Sequence, residues 1–285
     1  MSYSVVVLGT AQDGGLPQFG ARSSLSHRAR HEAVLARMAA SIAIVDDTGR
    51  TVLVDPSPDL RHQEAFLHRF GPYAARPGTA PPVDAIVVTH GHMGHYLGLA
   101  HFGREAAATS AIPCYVTHPT AGFLVSNAPW RLLVEDQHVA LRPYSAPEAV
   151  EVWDGLEIEL LPVPHRHEYT DTVAVSIAGT VLYLPDIDRW DDWAAAEETI
   201  ARHEIALLDA TFWSADEVPG RDVADIPHPL VPDTIERFGH LAAGRRLMLT
   251  HLNHTNPVAD PSSDAARQVA EAGFEVAVDG MVLEV

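Results

Sequence analysis

Short runs of apolar and β-branched residues recur along the chain, and several of them end in a polar residue suited to binding a metal ion. Runs of this kind are typical of buried strands, and strands that alternate with helices indicate an α/β protein with covered sheets. The predicted strands are Val5–Leu8, Val52–Val54, Ile86–Val88, Ile158–Val163, Val181–Leu184, Ile205–Leu208 and Leu247–Leu249. The predicted helices between them are Arg61–Phe70, His95–Ala107, Trp190–His203, Pro232–Leu241 and Ser263–Ala272.

The length of 285 residues is enough for one large domain or two small ones. The proline-rich stretch 74–82 (AARPGTAPP) is too short to be a domain linker, and no internal repeat is visible. We therefore expect one domain over residues 1–285.

The charge balance restricts the partners of the protein. The formal net charge is −19, and every basic residue is an arginine. That balance argues against nucleic acid as a partner, although one or two arginines could hold a small anionic substrate. The start, MSYSVVVLGT, predicts a strand and not a signal peptide, and no apolar run is long enough to predict a membrane span. The single cysteine, Cys114, fits a cytoplasmic location, and the oligomeric state is left open.

Histidines are unusually frequent, with 17 in the chain, and three of them crowd into the segment Val87–Leu99 (VVTHGHMGHYLGL). His90 and His92 lie two apart on a predicted turn, where both can face one ion, and His95 can approach from another side. Three further strand ends supply His165, Asp186 and His251. A lone histidine is more often structural, but this grouping predicts a site for zinc, iron or manganese. Asp55 is expected to support the histidine loop by hydrogen bonds and not to bind metal.

This pattern resembles the metallo-β-lactamase fold, whose signature is H-x-H-x-D-H after a strand, followed by a distant His, a bridging Asp and a final His. The matching residues are His90-x-His92-x-Gly94-His95, His165 in PVPH, Asp186 in LYLPD and His251 in LTHLNH. The resemblance implies an α/β fold of the four-layer αββα type, with the metals at one end of two facing sheets.

A closer resemblance is to the PqqB family of pyrroloquinoline-quinone biosynthesis. It rests on LGTAQDGGLPQFG near the start and on VDPSPDLR, HLNHTNP and VAVDGM further along. Phosphodiesterases of phosphonate breakdown share a similar frame. Relatives often hold a structural zinc with cysteines after the PQFG segment, but residues 20–24 contain none, so that zinc is not expected. PqqB-type sequences tend to have a degraded histidine motif, whereas this chain keeps all three histidines, which favours retained metal chemistry.

Gly94 stands where the family signature has a metal-binding aspartate. The resemblance gives the first ion the ligands His90, His92, His165 and Asp186. It gives the second ion His95, His251 and the shared Asp186. Without the signature aspartate, the site is mononuclear, or dinuclear with a weaker second ion, or completed by another carboxylate. Asp13 is the candidate for that role; its alternative role is to form the turn in QDGG.

Four further positions receive weaker assignments. Asp209 and His228 resemble an acid–histidine pair of related phosphodiesterases, which predicts a proton-donor role; the alternative is an ordinary strand-end Asp and a loop His. His254 and Asn256 follow the last ligand on the same loop. Together with Asp13, they are predicted to contact the substrate.

The predicted function is that of a metal-dependent hydrolase, in which a metal-activated water attacks a small ester, amide or phosphodiester. Asp186 is expected to bridge the metals or orient that water, and His228 or Asp209 to protonate the leaving group. The expected cofactor is one or two zinc ions, with iron or manganese as alternatives. Two other functions stay open. One is a PqqB-like iron-dependent oxygenase in cofactor or natural-product biosynthesis; the other is a non-catalytic binding protein on the same fold, which Gly94 favours.

Overall fold

In the computed structural model, which describes residues 2–217 and 226–285, the predicted strands belong to two seven-stranded sheets. The first sheet contains β1 (Tyr3–Gly9), β2 (Ser41–Asp46), β3 (Thr51–Val54), β4 (Ala85–Val87), β5 (Ile112–Thr117), β6 (Val139–Tyr144) and β14 (Val282–Glu284). The second contains β7 (Glu148–Trp153), β8 (Leu156–Val163), β9 (Thr172–Ile177), β10 (Val181–Leu184), β11 (Ile205–Asp209), β12 (Arg246–Thr250) and β13 (Glu275–Val276).

Each sheet is mixed, with a parallel half and an antiparallel half. The spatial orders are β14-β1-β2-β3-β4-β5-β6 and β13-β12-β11-β10-β9-β8-β7. Strands β3 to β6 pair in parallel, as do β10 to β13. Strand β8 runs in the same direction as β10, because both pair antiparallel with β9. Since strands of one direction end at one edge, the residues that follow them meet there.

Helices cover the outer face of each sheet. The helices are α1 (Ser24–Ala29), α2 (Leu60–Leu67), α3 (Gly71–Ala74), α4 (Met93–Tyr96), α5 (His118–Ser126), α6 (Trp130–Glu135), α7 (Ala196–Arg202), α8 (Val231–Phe238) and α9 (Asp264–Glu271). Side chains of α2, α5 and α6 pack on the first sheet, and those of α7, α8 and α9 on the second. The predicted four-layer αββα sandwich is confirmed. None of the described helices is long and apolar enough to cross a membrane.

The strands are continuous apolar runs because both of their faces are buried. In β10, Val181 and Tyr183 face the other sheet, whereas Leu182 and Leu184 face the covering helices. All four side chains are fully buried. Burial of each contributes roughly 1.5–3 kcal/mol, so the strand is held in place from both sides.

Two predicted helices do not form as expected. The segment predicted as the helix Trp190–His203 has a 3₁₀ turn at Trp190–Asp192, and α7 begins only at Ala196. The pattern over His95–Ala107 predicts a continuous helix, but α4 is followed by a 3₁₀ turn at Leu97–Phe102. The backbone N–H of Gly98 donates to the carbonyl of Pro56 at 2.8 Å and not to a carbonyl one turn earlier. A Cβ at Gly98 would lie 2.7 Å from that same oxygen, so this close approach requires glycine and interrupts the helix.

The burial of Cys114 allows a chemical test of the fold. Its side chain is fully buried in β5, and burial raises the pKa of the thiol to about 12. We expect a thiol reagent at neutral pH to leave the native protein unmodified and to label one thiol after denaturation, as followed by mass spectrometry. Equal labelling rates for the native and denatured protein would contradict this placement of β5.

Candidate metal centre

The six side chains predicted as metal ligands meet at the edge where like-directed strands end. Their positions are His90 and His92 after β4, His95 in α4, His165 after β8, Asp186 after β10 and His251 after β12. None is more than 9% exposed. The structure therefore brings all six together in a buried cluster.

Three histidines and one carboxylate form the first half of this cluster. Nδ1 of His92 lies 3.0 Å from Nε2 of His90 and 3.2 Å from Nε2 of His165. The Asp186 carboxylate completes the group, with Oδ2 3.7 Å from Nε2 of His90 and Oδ1 3.5 Å from Nε2 of His165. This is a donor set of the kind that holds zinc tetrahedrally.

The second half shares Asp186. Its Oδ2 lies 2.9 Å from Nε2 of His95 and 3.2 Å from Nε2 of His251. Asp13 approaches from the side, with Oδ1 3.5 Å from Nε2 of His95. Although they lie close together, the two Nε2 atoms and Oδ2 of Asp186 are buried and do not meet hydrogen-bond geometry with any described residue. Each such atom is destabilising by about 1–3 kcal/mol, and a bound cation would satisfy all three at once.

A further set of polar groups orients the ligands from outside. Nδ1 of His95 lies 2.8 Å from Oδ2 of Asp55, which also accepts a 2.9 Å hydrogen bond from the Thr89 hydroxyl. These bonds confirm the prediction that Asp55 supports the histidine loop. Nδ1 of His165 lies 2.8 Å from Oδ1 of Asp188. The Asp55 bond fixes the ring orientation of His95 and leaves its Nε2 lone pair free for a metal, and the Asp188 carboxylate faces His165 in the same way.

Most of the protonation states suit a metal. Burial lowers the pKa of His90, His92 and His251, so these rings are neutral at neutral pH. Burial alone would raise the pKa of Asp186, but the nearby His251 and His165 hold it well below its usual value. Neutral imidazoles and an ionised carboxylate are the forms that bind divalent ions.

The exception is His95. Burial alone would lower its pKa, but the Asp55 and Asp186 carboxylates raise it well above its usual value. This ring would therefore release a proton on metal binding.

Asp55 and His251 share an unusual backbone conformation. Each is the first residue after a strand, and their φ angles are 57° and 61°. A non-glycine residue in this left-handed region is destabilising by about 1–3 kcal/mol and persists only where its surroundings impose it. Both turns place the side chain at the site. Asp55 supports His95 through its carboxylate, and His251 lies within the cluster.

An acid–histidine pair adjoins the cluster. Nδ1 of His228 lies 2.7 Å from Oδ2 of Asp209 and 3.8 Å from Oδ1 of Asp186. The Thr211 hydroxyl donates to Oδ1 of Asp209 at 2.7 Å and lies 3.0 Å from Nδ1 of His251. Burial alone would lower the pKa of His228, but the Asp209 carboxylate raises it. His228 is therefore suited to carry a proton beside the cluster.

A cleft of about 800 Å³ opens at the Asp13 side of the cluster. Its lining includes Asp13, Met93, Arg166 and His254. His254 is half-buried, and its Nδ1 lies 3.3 Å from the Ser26 hydroxyl. Asp13 and His254 thus have the accessible position that substrate contact requires, and Arg166 brings a positive charge.

Asn256 does not line the cleft with Asp13 and His254. The sequence predicts a substrate contact for this residue, but its side chain is fully buried. Its Nδ2 donates to the carbonyl of Ala210 at 2.8 Å, and its Oδ1 accepts from the N–H of Val258 at 2.9 Å. Because buried backbone groups must be paired, Asn256 is needed to join two chain segments and has no free polar atom for a ligand.

Three residues at the centre were missed in the sequence. Asp188 contacts His165, Thr211 connects the acid–histidine pair to the ligands, and Glu168 lies 3.3 Å from Nε2 of His92. The sequence contains a signal for Asp188 and for Thr211. Asp188 is a second carboxylate at one strand end, and Thr211 follows the strand-end aspartate in a local D-x-T turn.

Comparison with known proteins shows the family of the chain. Residues 50–252 match the family model described as beta-lactamase superfamily domain. Coenzyme PQQ synthesis protein B of Cupriavidus necator is 30% identical over 308 residues, covering 98% of each chain. The protein of the same name from Methylobacterium nodulans is 28% identical over 307 residues, again covering 98% of each.

Two solved structures share the fold. Zn(2+)-bound PqqB from Methylobacterium extorquens superposes with a TM-score of 0.84 at 25% identity, covering 99% of this chain and 100% of that one. A diphosphatase from the PhnP family superposes with a TM-score of 0.71 at 23% identity, covering 100% and 98%. At this identity, the similarity to the diphosphatase shows a shared fold alone.

Proposed function

We propose that this chain, which belongs to the beta-lactamase superfamily and to the family of coenzyme PQQ synthesis protein B, is a metal-dependent hydrolase of a small ester, amide or phosphodiester. One observation carries the proposal. Five buried histidines and Asp186 converge at the end of the two sheets, with imidazole nitrogens and a carboxylate oxygen left unpaired. The proposed cofactor is zinc, in one or two ions.

A divalent ion in this cluster would lower the pKa of a water molecule and polarise the substrate bond. His90, His92 and His165 would hold the first ion, and Asp186 faces both halves of the cluster. His228, whose pKa the Asp209 carboxylate raises, would give a proton to the leaving group.

A substrate screen on metal-free and zinc-loaded protein tests this proposal. Suitable probes are bis(p-nitrophenyl) phosphate, p-nitrophenyl acetate and a chromogenic lactam. We expect turnover of at least one probe that disappears with chelator and returns with zinc. Tight metal binding without any turnover would contradict the hydrolase and support the non-catalytic binding protein.

A second candidate is a role in coenzyme PQQ synthesis, favoured by the name and 30% identity of the Cupriavidus necator relative. Histidine and carboxylate donors suit iron as well as zinc. An iron-dependent oxygenase would be the corresponding activity. Metal analysis of protein purified without added metal, followed by an oxygen-uptake assay on iron-loaded protein, separates the two candidates.

We predict that the protein has no measurable affinity for tRNA or duplex DNA at physiological salt. The 38 acidic side chains outnumber the 19 arginines, so the formal charge of −19 repels the phosphate backbone on which such binding depends. Fluorescence anisotropy with labelled RNA and DNA measures this directly. Salt-sensitive micromolar binding would contradict the prediction and point to an RNA-processing role.

We also propose that the protein works in the cytoplasm on a small-molecule substrate. With Cys114 as the single cysteine, no disulfide can form within the chain, and that thiol is buried. These features fit a reducing compartment. Cell fractionation with an antibody against the native protein tests the location.

A further inference from the structure

Asp13 occupies the space next to Gly94 that a side chain at position 94 would need. A Cβ built on Gly94 would overlap Oδ1 of Asp13 and would lie 2.8 Å from its Cα and 3.0 Å from its Cγ. Side chains at the two positions therefore exclude each other. The carboxylate missing from the histidine segment is replaced in space by one from a loop about 80 residues earlier.

The Asp13 carboxylate is also within reach of the second half of the metal cluster. Its Oδ1 lies 3.5 Å from Nε2 of His95, and the ligand atoms of Asp13, His95 and His251 all lie within 4.8 Å of one another. The Asp13 side chain is 25% exposed, whereas His95 is 1% exposed. A ligand at this position would therefore face the open cleft.

The loop that carries Asp13 is tied to the loop that carries His251. The backbone N–H of Gln12 donates to the carbonyl of Leu252 at 2.9 Å, and that of Leu252 donates to the carbonyl of Thr10 at 2.9 Å. A turn closes behind Asp13, where Gly15 donates to the carbonyl of Gln12 at 2.8 Å. Because main-chain bonds hold both loops, the position of Asp13 at the cluster does not depend on its own side-chain contacts.

We propose that Asp13 is a ligand of the second metal ion and supplies the carboxylate that Gly94 lacks. This inference rests on the proposed metal-dependent function. Without Asp13, the second position has the imidazoles of His95 and His251 and only the shared carboxylate of Asp186. With Asp13, it gains a fourth donor and a second negative charge, both of which strengthen binding of a divalent cation.

The test is zinc titration of metal-free full-length protein by calorimetry, with metal counting after dialysis. Wild type should bind two ions. Asp13→Ala should keep the first ion and weaken the second at least about tenfold, since even indirect partners of a metal contribute that much. The near-isosteric Asp13→Asn removes the charge and should also weaken the second ion. Gly94→Ala should do the same by displacing the Asp13 carboxylate.

Asp154→Ala is the matched control. It removes one exposed carboxylate from the turn before β8, at the opposite end of that strand from His165, and should bind two ions like wild type. Retention of the first ion shows that a variant is folded. The inference is overturned if Asp13→Ala binds the second ion as tightly as wild type, or if wild type binds one ion only. No zinc binding by wild type would instead refute the proposed function itself.

Discussion

His92→Ala should leave the protein unable to retain metal at the first position and should reduce hydrolysis to the rate of the metal-free protein. Nδ1 of His92 is the atom that faces both His90 and His165, so its removal opens one side of the donor set. Two imidazoles and a shared carboxylate would hold zinc much more weakly than four donors. Metal content after dialysis and kcat/KM on the best screening substrate measure the two effects.

His118→Ala is the control for this variant. His118 is exposed at the first position of α5 and was assigned no role. Its metal content and kcat/KM should match wild type within error. Equal metal loss in the two variants would show that the assignment of ligands is wrong.

His228→Asn should lower kcat by about 10²–10⁴-fold on a substrate with a poor leaving group, the range expected for loss of a general acid. Asparagine cannot deliver the proton that His228 carries beside Asp209. On a p-nitrophenyl substrate, whose leaving group departs without protonation, the loss should be small. Parallel kinetics on an alkyl and a p-nitrophenyl ester of the same acid, with metal counting, give the comparison.

Asp209→Asn should also lower kcat on the substrate with the poor leaving group and have little effect on the p-nitrophenyl substrate. It removes the carboxylate that raises the pKa of His228. His62→Ala, on the exposed side of α2, serves as the control and should leave both rates unchanged. An equal loss on both leaving groups, or loss of metal in His228→Asn, would show that His228 is not the proton donor.

The strand ends of the site could be predicted because of how the sheets are built. A strand buried on both faces is a continuous apolar run, so the point where polarity returns is easy to find in the sequence. Parallel strands bring such points to one edge. That is why His165, Asp186 and His251 could be grouped from sequences far apart in the chain.

The features that could not be predicted arise where loops far apart in the sequence pack against each other. The helical pattern after His95 contains no sign that Gly98 packs on Pro56, which replaces the helix by a tighter turn. Similarly, Gly94 alone does not reveal that Asp13 fills its side-chain space. Asn256 follows a ligand and was assigned to the cleft, but the backbone groups of two buried segments use its amide.

Seven strands lie outside the predicted set: β2, β5, β6, β7, β9, β13 and β14. In β6 only two of six positions are buried, and in β7 none is, so their apolar pattern is weak. Their pairing with β5 and β8 supplies the order that the local sequence does not specify. Such tertiary pairing routinely overrides local preference.

The most direct test of the account is an anomalous difference map at the zinc absorption edge, from crystals of the full-length protein grown with zinc. The account predicts a strong peak enclosed by His90, His92, His165 and Asp186, together with a second peak between Asp186, His95 and His251. Zinc found only at the protein surface, with no peak within the histidine cluster, would contradict it.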